Sequence, residues 1–399
     1  MQVPRFEPFP ALRYAPGQPL DQVVAPPYDV LSISDVEELG RRHPHNIVHV
    51  DVPLESQGPG RYETAAETLA AWRLHGVVRT DPQPSFTLYR MSFTDEAGRP
   101  RNTVGVLGAL EVVDEGAGGV LPHERTTPKA KSDRLDLTRA TDCNLSPVWG
   151  LSLAGGLTDL LRAPGESLGS TLDAHGVTHT VERIADPARC AAITARVASA
   201  PVVIADGHHR YAISRTWRDE VRAATGRRDT GAELTLTYLG ELVADQLNVA
   251  AIHRMYRQVS PAALHSVLER SFHLADAGPV SRETLVEMER RGALCLVDTE
   301  GHGSWLHPRP EAFTGVRDLD SARLEHALAG LDHEVLYQHG VDEVLGAVRE
   351  PGVTAAVLIR PVSITEIQRT AHEGLLMPPK STFFTPKLLT GLVVRPVDR

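Results

Sequence analysis

The sequence contains little cysteine and no long apolar run, and these shortages exclude several classes of protein. Its three cysteines, Cys143, Cys190 and Cys295, lie far apart and form no CxxC pair. This spacing argues against a disulfide framework or a thiolate zinc site and favours a reducing compartment. No run of about 18 apolar residues occurs, so no membrane-spanning helix is predicted. The first residues also lack the basic-then-apolar order of a signal peptide, and we expect a cytoplasmic protein.

Lysine is scarce in a chain that is rich in arginine. Of 41 basic residues 37 are arginine, and the four lysines form two pairs, Lys129 with Lys131 and Lys380 with Lys387. A compact ammonium suits contact with a single oxygen in a tight space, whereas a planar guanidinium needs more room. Two interpretations stay open: the lysines remain by chance on two surface loops, or both segments serve one anion-binding site.

The overall composition and charge indicate a globular protein and argue against two kinds of partner. Hydrophobic residues make up 42% of the chain and charged residues 23%, a balance typical of folded domains rather than disordered chains. The net charge of −10 argues against a general binder of nucleic acid or of membrane surfaces. We therefore expect neither partner, and the sequence leaves the oligomeric state open.

Predicted helices and strands alternate along the chain, which indicates an α/β (α+β) fold with a mixed sheet. The length of 399 residues favours two domains. We assign residues 1–258 to a catalytic α/β region and residues 259–399 to a C-terminal α/β subdomain. The latter would return the loop 377–387 to the functional site.

The stretch VVIADGHHRY, residues 202–211, places polar residues between a buried strand and a helix. Backbone N–H groups at a helix start, together with the helix dipole, favour an anion. Glycine at 207 permits a tight turn or a close approach to a ligand. Histidine and arginine donate hydrogen bonds to phosphate oxygens. We therefore predict a phosphate site formed by Asp206, Gly207, His208, His209 and Arg210.

Two other interpretations of this stretch remain open. It could be a structural turn whose polar groups cap one another. It could also contribute to a zinc site with His123, Glu124 and His253, although adjacent histidines rarely ligate one metal and no HExxH motif occurs. Asp206 is in addition a candidate ligand of Mg²⁺, which prefers oxygen ligands.

Two pairs of residues elsewhere are weaker candidates for substrate binding. Tyr28 and Asp29 follow two prolines, which force an extended entry into the turn. They form either a wall of the substrate site or a plain turn. Asp133 and Arg134 stand in a polar stretch and form either a surface ion pair or part of the site.

A lysine-serine-threonine loop near the end of the chain is a second candidate phosphate site. Lys380, Ser381 and Thr382 follow Pro378 and Pro379, and the prolines limit the freedom of the loop. A prearranged loop of this composition suits a phosphate or a carboxylate. The alternative is an ordinary C-terminal turn.

The order of these motifs resembles that of a long-uncharacterised bacterial and archaeal family. The landmarks span nearly the full length: APPYDVL (25–31), LPHERT (121–126), DRLDL (133–137), NLSPVWGL (144–151), ADGHHRY (205–211), the pair His253-Arg254, and MPPKSTFFTPKLLTGL (377–392). The DGHHR motif after an apolar strand is also similar to the nucleotide-binding signature of the ParB/sulfiredoxin superfamily, above all of its free-serine kinases.

The resemblance implies roles for particular residues. The core would be a ParB/sulfiredoxin-like nucleotide-binding fold in which residues 206–210 hold nucleotide phosphates. A glutamate earlier in the chain would be the catalytic base, and Glu124 matches it; Asp206 is the competing candidate. Residues proposed to contact the substrate are Tyr28, Asp29, His123, Arg125, Thr126, Arg134 and Lys387. The chain lacks the expected proline-threonine approach to His253, which puts any role of that histidine in doubt.

These patterns together favour an ATP-dependent kinase that phosphorylates a hydroxyl, that of free L-serine or of another hydroxylated metabolite. The expected cofactors are ATP, with ADP or CTP as alternative nucleotides, and Mg²⁺. Catalysis of phosphoryl transfer depends mainly on positioning and charge neutralisation. Lysines and arginines would neutralise the charge, and one carboxylate would act as the base. The alternative is a nucleotide-binding regulatory protein. A regulator would be expected to carry a helix-turn-helix or a basic face, and this acidic chain shows neither clearly.

Overall fold

The structure is a computed structural model that describes residues 3–95, 98–122, 131–377 and 380–398. Its chain forms two compact units. The first unit comprises residues 1–93, 101–247 and 386–399, and the second comprises residues 94–100 and 248–385. The division at 258/259 drawn from the sequence groups the last residues with the C-terminal subdomain, whereas here residues 386–398 belong to the first unit.

A mixed sheet forms the core of the first unit. Nine strands of the described residues belong to it, and eight of them are adjacent in the order Val120–Pro122, Val202–Asp206, Val148–Ser152, Leu234–Glu241, Pro100–Glu111, Phe86–Thr94, Thr178–Ile184 and Glu166–Leu172; the ninth, Phe6–Glu7, pairs with Pro100–Glu111. Val202–Asp206 runs parallel to Val120–Pro122 and antiparallel to Val148–Ser152. The predicted mixed α/β fold is confirmed.

Helices and short strand pairs complete the first unit. The α-helices are Leu20–Val23, Ile33–Arg42, Val48–Asp51, Arg61–Leu74, Lys131–Thr141, Leu157–Arg162, Pro187–Val197 and His208–Thr225, with 3₁₀ turns at Tyr28–Val30, Glu55–Gln57, Gly231–Glu233 and Ala244–Gln246. Two strand pairs lie outside the large sheet: Leu12–Tyr14 with Val78–Thr80, and Cys143–Asn144 with Arg395–Pro396.

The second unit is built on an antiparallel sheet. Six strands of the described residues are adjacent in the order Phe272–Pro279, His302–Pro308, Leu294–Val297, Val353–Leu358, His253–Arg257 and Glu334–Gln338. Its α-helices are Pro261–Ser271, Glu283–Arg291, Asp320–Leu328, Val341–Ala347 and Ile364–Glu373, with a 3₁₀ turn at Pro310–Phe313. A further pair joins Val249–Ala250 to Phe383–Phe384.

Local sequence explains how these elements begin. The helix Ile33–Arg42 starts with a capping box, in which the Ser32 hydroxyl accepts from the backbone N–H of Asp35 and the Asp35 carboxylate accepts from that of Ser32. The helix Pro187–Val197 starts with a proline after an aspartate whose carboxylate accepts from the N–H of Arg189. Among the helices of the described residues, none is both long enough and apolar enough to cross a bilayer.

The large sheet has glycines where aromatic rings lie against its backbone. In the strand Pro100–Glu111, a Cβ at Gly108 would overlap the rings of Phe6 and Phe86. These two rings are stacked, with centroids 5.1 Å apart, and are fully buried. The missing side chain therefore makes room for this part of the core.

This packing predicts that Gly108→Ala lowers the free energy of unfolding by about 1–3 kcal/mol, since the added methyl forces the rings of Phe6 and Phe86 to move. Gly240→Ala is the matched control, because the nearest atom to its Cβ would lie at an ordinary 3.9 Å. Denaturant unfolding of both variants measures the difference. Equal stabilities would show that the rings adjust freely.

Candidate functional site

A cavity of about 50 Å³ in the first unit is lined by polar side chains from several of the sequence landmarks. The lining includes Tyr28, Asp51, Arg134, Asn144, Ser146 and Arg210. Four of the landmarks, those beginning at residues 25, 133, 144 and 205, each contribute at least one of these residues. The fold thus brings together segments that are up to about 180 positions apart in the sequence.

The turn at Asp206-Gly207 joins a buried strand to the longest helix of the unit. The strand Val202–Asp206 ends there, and the helix His208–Thr225 begins directly afterwards. Gly207 has a φ of 84°, in the left-handed region, and a Cβ at this position would lie 3.1 Å from the guanidinium of Arg210. Both facts favour glycine here. The Gly207 N–H donates to Asp206 Oδ1 at 2.9 Å.

Two cations contact the carboxylate of Asp206. Lys387 Nζ donates to Oδ2 at 3.1 Å, and Arg210 Nη2 lies 3.4 Å from the same oxygen. Burial alone would raise the pKa of Asp206, but the charges of Lys387 and Arg210 outweigh it and hold the pKa well below its usual range. Lys387 and Arg210 thus place two positive charges at a helix N-terminus, a location that favours an anion.

Arg210 is fixed at both ends of its guanidinium. Nη1 donates to the carbonyl of Pro147, and Nη2 faces Asp206. Its side chain is only 11% exposed. Burial would lower the pKa of Arg210, but the charges of Asp206 and Asp29 outweigh it and raise the pKa. The guanidinium is therefore held charged and in one orientation.

Asp51 and Arg134 form a second charged pair beside the cavity. Arg134 Nη1 donates to the backbone carbonyl of Asp51 at 2.6 Å and lies 3.3 Å from its Oδ1, while the guanidinium covers the ring of Tyr28 at 4.2 Å. Asp51 is 2% exposed, and this burial raises its pKa against the influence of Arg134 and of the Ser146 hydroxyl, which donates to Oδ1 at 3.2 Å. A carboxylate of raised pKa that lines a cavity is a candidate functional group.

Asp133 orients Arg134 from the other side. Its Oδ2 accepts from Arg134 Nε at 3.1 Å, and its Oδ1 accepts from the Tyr62 hydroxyl at 2.7 Å. Burial would raise the pKa of Asp133, but the Tyr62 hydrogen bond and the Arg134 charge outweigh it and lower the pKa. The Asp133–Arg134 ion pair exists, and Arg134 also lines the cavity. The role of Arg134 in substrate binding stays a prediction.

The last residues of the chain bring Lys387 to this site. Thr390 exchanges both backbone hydrogen bonds with Ala25, at 3.1 and 2.8 Å, and its hydroxyl lies 3.1 Å from that of Ser146. Arg395 is buried and donates to Asn144 Oδ1 at 3.1 Å and to the carbonyl of Leu234 at 2.9 Å. The segment 386–398 is therefore anchored next to two of the landmarks that line the cavity.

Sequence reasoning missed Asp51 and Ser146. Ser146 lies inside the landmark NLSPVWGL, so the motif itself was a signal for it. Asp51 ends the short helix Val48–Asp51, and no spacing or motif in the sequence singles it out. Its importance depends on burial against Arg134, which only the folded chain supplies.

The other predicted site residues fall into three groups. Those of the HERT landmark, His123, Glu124, Arg125 and Thr126, lie outside the described residues, as does Lys129. His208 and His209 occupy the first turn of the helix His208–Thr225 and are partly buried, while Asp29 is exposed. Lys380, Ser381 and Thr382 belong to the second unit, and their predicted role in phosphate binding stays a prediction.

Within the second unit, the Lys380 loop has a defined backbone conformation. Lys380 has a φ of 59°, and its carbonyl accepts from Arg254 Nη2 at 3.2 Å. The neighbouring His253 is buried and accepts from the N–H of Ile359 through Nδ1 at 3.2 Å. Burial and the charges of Arg254 and His339 lower the pKa of His253 to about 4, so His253 is a neutral core residue at physiological pH.

Asp206 is the residue of this site that the sequence predicts as a metal ligand. No group of three or more His, Cys, Asp or Glu side chains is placed to hold a metal ion within the part of the chain that is described. Both oxygens of Asp206 already accept hydrogen bonds, from Gly207 and Lys387. A Mg²⁺ ion at Asp206 would have to share these oxygens with Gly207 and Lys387, and its coordination by Asp206 stays a prediction.

The ion pair between Lys387 and Asp206 predicts a measurable coupling. We expect Lys387→Met to lower the free energy of unfolding by about 1–3 kcal/mol, because it removes a charged hydrogen bond from a partly buried carboxylate. Adding Asp206→Asn to that variant should cost less than Asp206→Asn costs in the wild type. Denaturant unfolding of the four proteins measures the coupling, and additive effects would contradict it. Arg162→Met, which breaks the exposed pair with Asp159, should have a much smaller effect.

The same pair predicts a dependence on pH. The folded-state pKa of Asp206 is lowered, so its stabilising contribution is complete above the unfolded pKa of about 4 and is lost as the pH falls through the folded value. The stability difference between wild type and Lys387→Met should therefore stay constant from about pH 8 to about pH 5 and shrink only in stronger acid. A difference that shrinks between neutral pH and pH 5 would contradict this assignment.

Comparison with solved structures finds distant matches of the chain. A conserved hypothetical protein from Pyrococcus furiosus is 12% identical, with a TM-score of 0.36 over 67% of this chain and 87% of that one. A free serine kinase variant in complex with ADP is 13% identical, with a TM-score of 0.36 over 67% and 84%. SbnI with a C-terminal truncation, from Staphylococcus aureus, is 12% identical, with a TM-score of 0.34 over 71% and 85%.

Sequence comparison places the chain in a family. No curated protein sequence matches it. The model of the family described as "Protein of unknown function (DUF1015)" matches residues 6–326, which is most of the chain. The expectation of a long-uncharacterised family is confirmed, and the chain belongs to DUF1015.

Proposed function

We propose that this protein is a kinase that transfers the γ-phosphoryl group of ATP to the hydroxyl of a small molecule, and that this molecule is free L-serine. The observation that carries the proposal is the contact of Lys387 and Arg210 with one carboxylate, Asp206, at the start of the helix His208–Thr225. A strand, a glycine turn and a helix N-terminus with two fixed cations suit the binding of phosphate groups.

The positive groups at this turn match the needs of phosphoryl transfer. The reaction spreads negative charge over the oxygens of the transferred group, and catalysis depends on positioning and charge neutralisation. Arg210 is already held by Pro147 and Asp206, so it would need little reorganisation when a nucleotide binds. Mg²⁺ would accompany the nucleotide, bound to its phosphate oxygens.

The cavity beside the turn offers a site for the acceptor. Asp51 and Arg134 line it with Tyr28 and Ser146, and they present one carboxylate and one guanidinium. A free amino acid carries one ammonium and one carboxylate, so opposite charges on the cavity wall suit such a zwitterion. Arg210 lines the same cavity and contacts Asp206 of the phosphate turn, which would bring acceptor and phosphate close together.

The base in this proposal is Glu124. The carboxylate would take the proton of the serine hydroxyl as the oxygen–phosphorus bond forms and the bond to ADP breaks. Its chain neighbours His123 and Arg125, when positively charged, would favour the ionised carboxylate that this step requires. Asp206 is a poorer candidate, since two cations lower its pKa and so weaken it as a base.

The decisive experiment incubates the protein with labelled ATP, Mg²⁺ and a panel of hydroxyl compounds that includes L-serine. We expect L-serine to gain the label. Arg210→Lys should weaken ATP binding by about tenfold or more, because an ammonium cannot contact Asp206 and Pro147 together as a guanidinium does. Arg162→Lys, at an exposed surface pair, is the matched control. Nucleotide binding without transfer to any acceptor would favour a nucleotide-sensing protein, and no nucleotide binding would overturn the proposal.

Glu124→Gln tests the assignment of the base. The substitution keeps the shape of the side chain and removes the basic oxygen, so turnover should fall by roughly 10²–10⁴ while ATP affinity stays nearly unchanged. Glu115→Gln, at an exposed acid in the preceding segment, should turn over normally. Normal turnover of Glu124→Gln combined with an inactive Asp206→Asn would transfer the role of base to Asp206.

A further inference from the structure

A buried tyrosine supplies the hydrogen-bond acceptor for the chain segment that carries Lys387. The backbone N–H of Leu389, two residues after Lys387, donates to Tyr89 Oη at 3.0 Å. Tyr89 is fully buried in the strand Phe86–Thr94. A buried N–H needs an acceptor, which in regular secondary structure is usually a backbone carbonyl. Here it is the phenol oxygen of a side chain.

Tyr89 is itself the middle of a longer chain of hydrogen bonds. Its hydroxyl lies 2.7 Å from His179 Nδ1, and His179 Nε2 lies 3.1 Å from Asp173 Oδ2. His179 is 1% exposed. Asp173 stands at the turn between the strands Glu166–Leu172 and Thr178–Ile184, where its Oδ1 accepts from the N–H groups of His175 and Val177.

With a neutral imidazole at His179, the donors and acceptors of these hydrogen bonds agree in only one order. The N–H of Leu389 must donate to the tyrosine oxygen, so the tyrosine hydrogen is available for His179 Nδ1, and His179 Nε2–H then donates to the carboxylate of Asp173. Burial raises the pKa of Tyr89, so the phenol keeps its hydrogen. Asp173 thus fixes the histidine tautomer, the histidine fixes the tyrosine hydroxyl, and the tyrosine oxygen holds Leu389.

We propose that Asp173, His179 and Tyr89 act as positioning residues that hold Lys387 against Asp206. Lys387 and Leu389 are separated by one residue. The backbone on either side is anchored at Thr385, whose N–H donates to the carbonyl of Asn248, and at Thr390, through Ala25 and Ser146. Releasing Leu389 therefore removes the anchor nearest to the lysine on its C-terminal side and loosens the backbone between Thr385 and Thr390. The consequence for nucleotide affinity rests on the proposed function, whereas the position of Lys387 does not.

The scarcity of lysine makes the position of Lys387 measurable. The chain has four lysines, so acylation by a trace amine-reactive reagent can be followed at each by mass spectrometry. The Lys387 side chain is 18% exposed and paired with Asp206, which protects its amine. We expect Tyr89→Phe and His179→Leu to raise its acylation rate about five- to tenfold, the effect of one lost hydrogen bond. Lys380, in the second unit, is the internal reference and should keep its rate.

Two further variants separate positioning from loss of stability. Tyr14→Phe removes another hydroxyl of the first unit, one that donates to the carbonyls of Val23 and His45, and should leave Lys387 protected. His179→Asn retains an acceptor near the place of Nδ1 and should restore most of the protection that His179→Leu loses. The comparison of His179→Leu with His179→Asn also tests the positioning role if Tyr89→Phe does not fold.

ATP affinity of the same variants separates this inference from the proposed function. If Lys387 becomes reactive and ATP binds about five- to tenfold more weakly, the positioning role and the proposed role of Lys387 in nucleotide binding are both supported. If Lys387 becomes reactive while ATP affinity is unchanged, the hydrogen-bonded chain positions the lysine and the role of Lys387 in nucleotide binding fails. Unchanged acylation of Lys387 in folded Tyr89→Phe and His179→Leu would overturn the inference.

Discussion

The candidate site depends on one carboxylate that is shared by two cations. Asp206 ends a buried strand, accepts from the N–H of the glycine that follows it, and pairs with Lys387 and Arg210. A partly buried carboxylate is stabilised only if its charge is compensated. That requirement fixes Arg210 one turn into the helix and draws in Lys387 from the far end of the sequence. The rest of the site is built around these contacts.

The segments that form the site are held in place mainly by hydrogen bonds between side chains and backbone. Arg210 binds the carbonyl of Pro147, Arg134 binds that of Asp51, and Tyr89 accepts from the N–H of Leu389. Each contact joins a side chain in a helix or strand to the backbone of another segment, at the end of a short helix for Asp51 and in irregular chain for Pro147 and Leu389. Such segments have no ladder of their own, and a buried backbone group without a partner is costly. The polar side chains therefore serve the fold and the site together.

The two units differ in how their polar groups are used. In the first unit, charged side chains of separate segments line a cavity, and burial raises the pKa of one of them, Asp51. In the second unit, His253 and Arg254 are buried, and their hydrogen bonds run to the backbone at Ile359, Ile252 and Lys380. Both residues of the landmark His253-Arg254 are thus buried and hydrogen-bonded to backbone of the second unit, and the role of His253 stays open.

The sequence by itself determined the mixed α/β class, the strand–glycine–helix turn at Asp206 and most of the segments that meet at the cavity. Strand and helix patterns are local, and glycine, proline and adjacent polar residues mark turns wherever they stand. Only the tertiary structure decided that Lys387 pairs with Asp206, that Asp51 is buried against Arg134, and that Tyr89 holds Leu389. These contacts join positions 83 to 300 residues apart. Their energies come from burial and charge compensation. No local pattern encodes these, because both depend on which segments the large sheet and the returning segment 386–398 bring into contact.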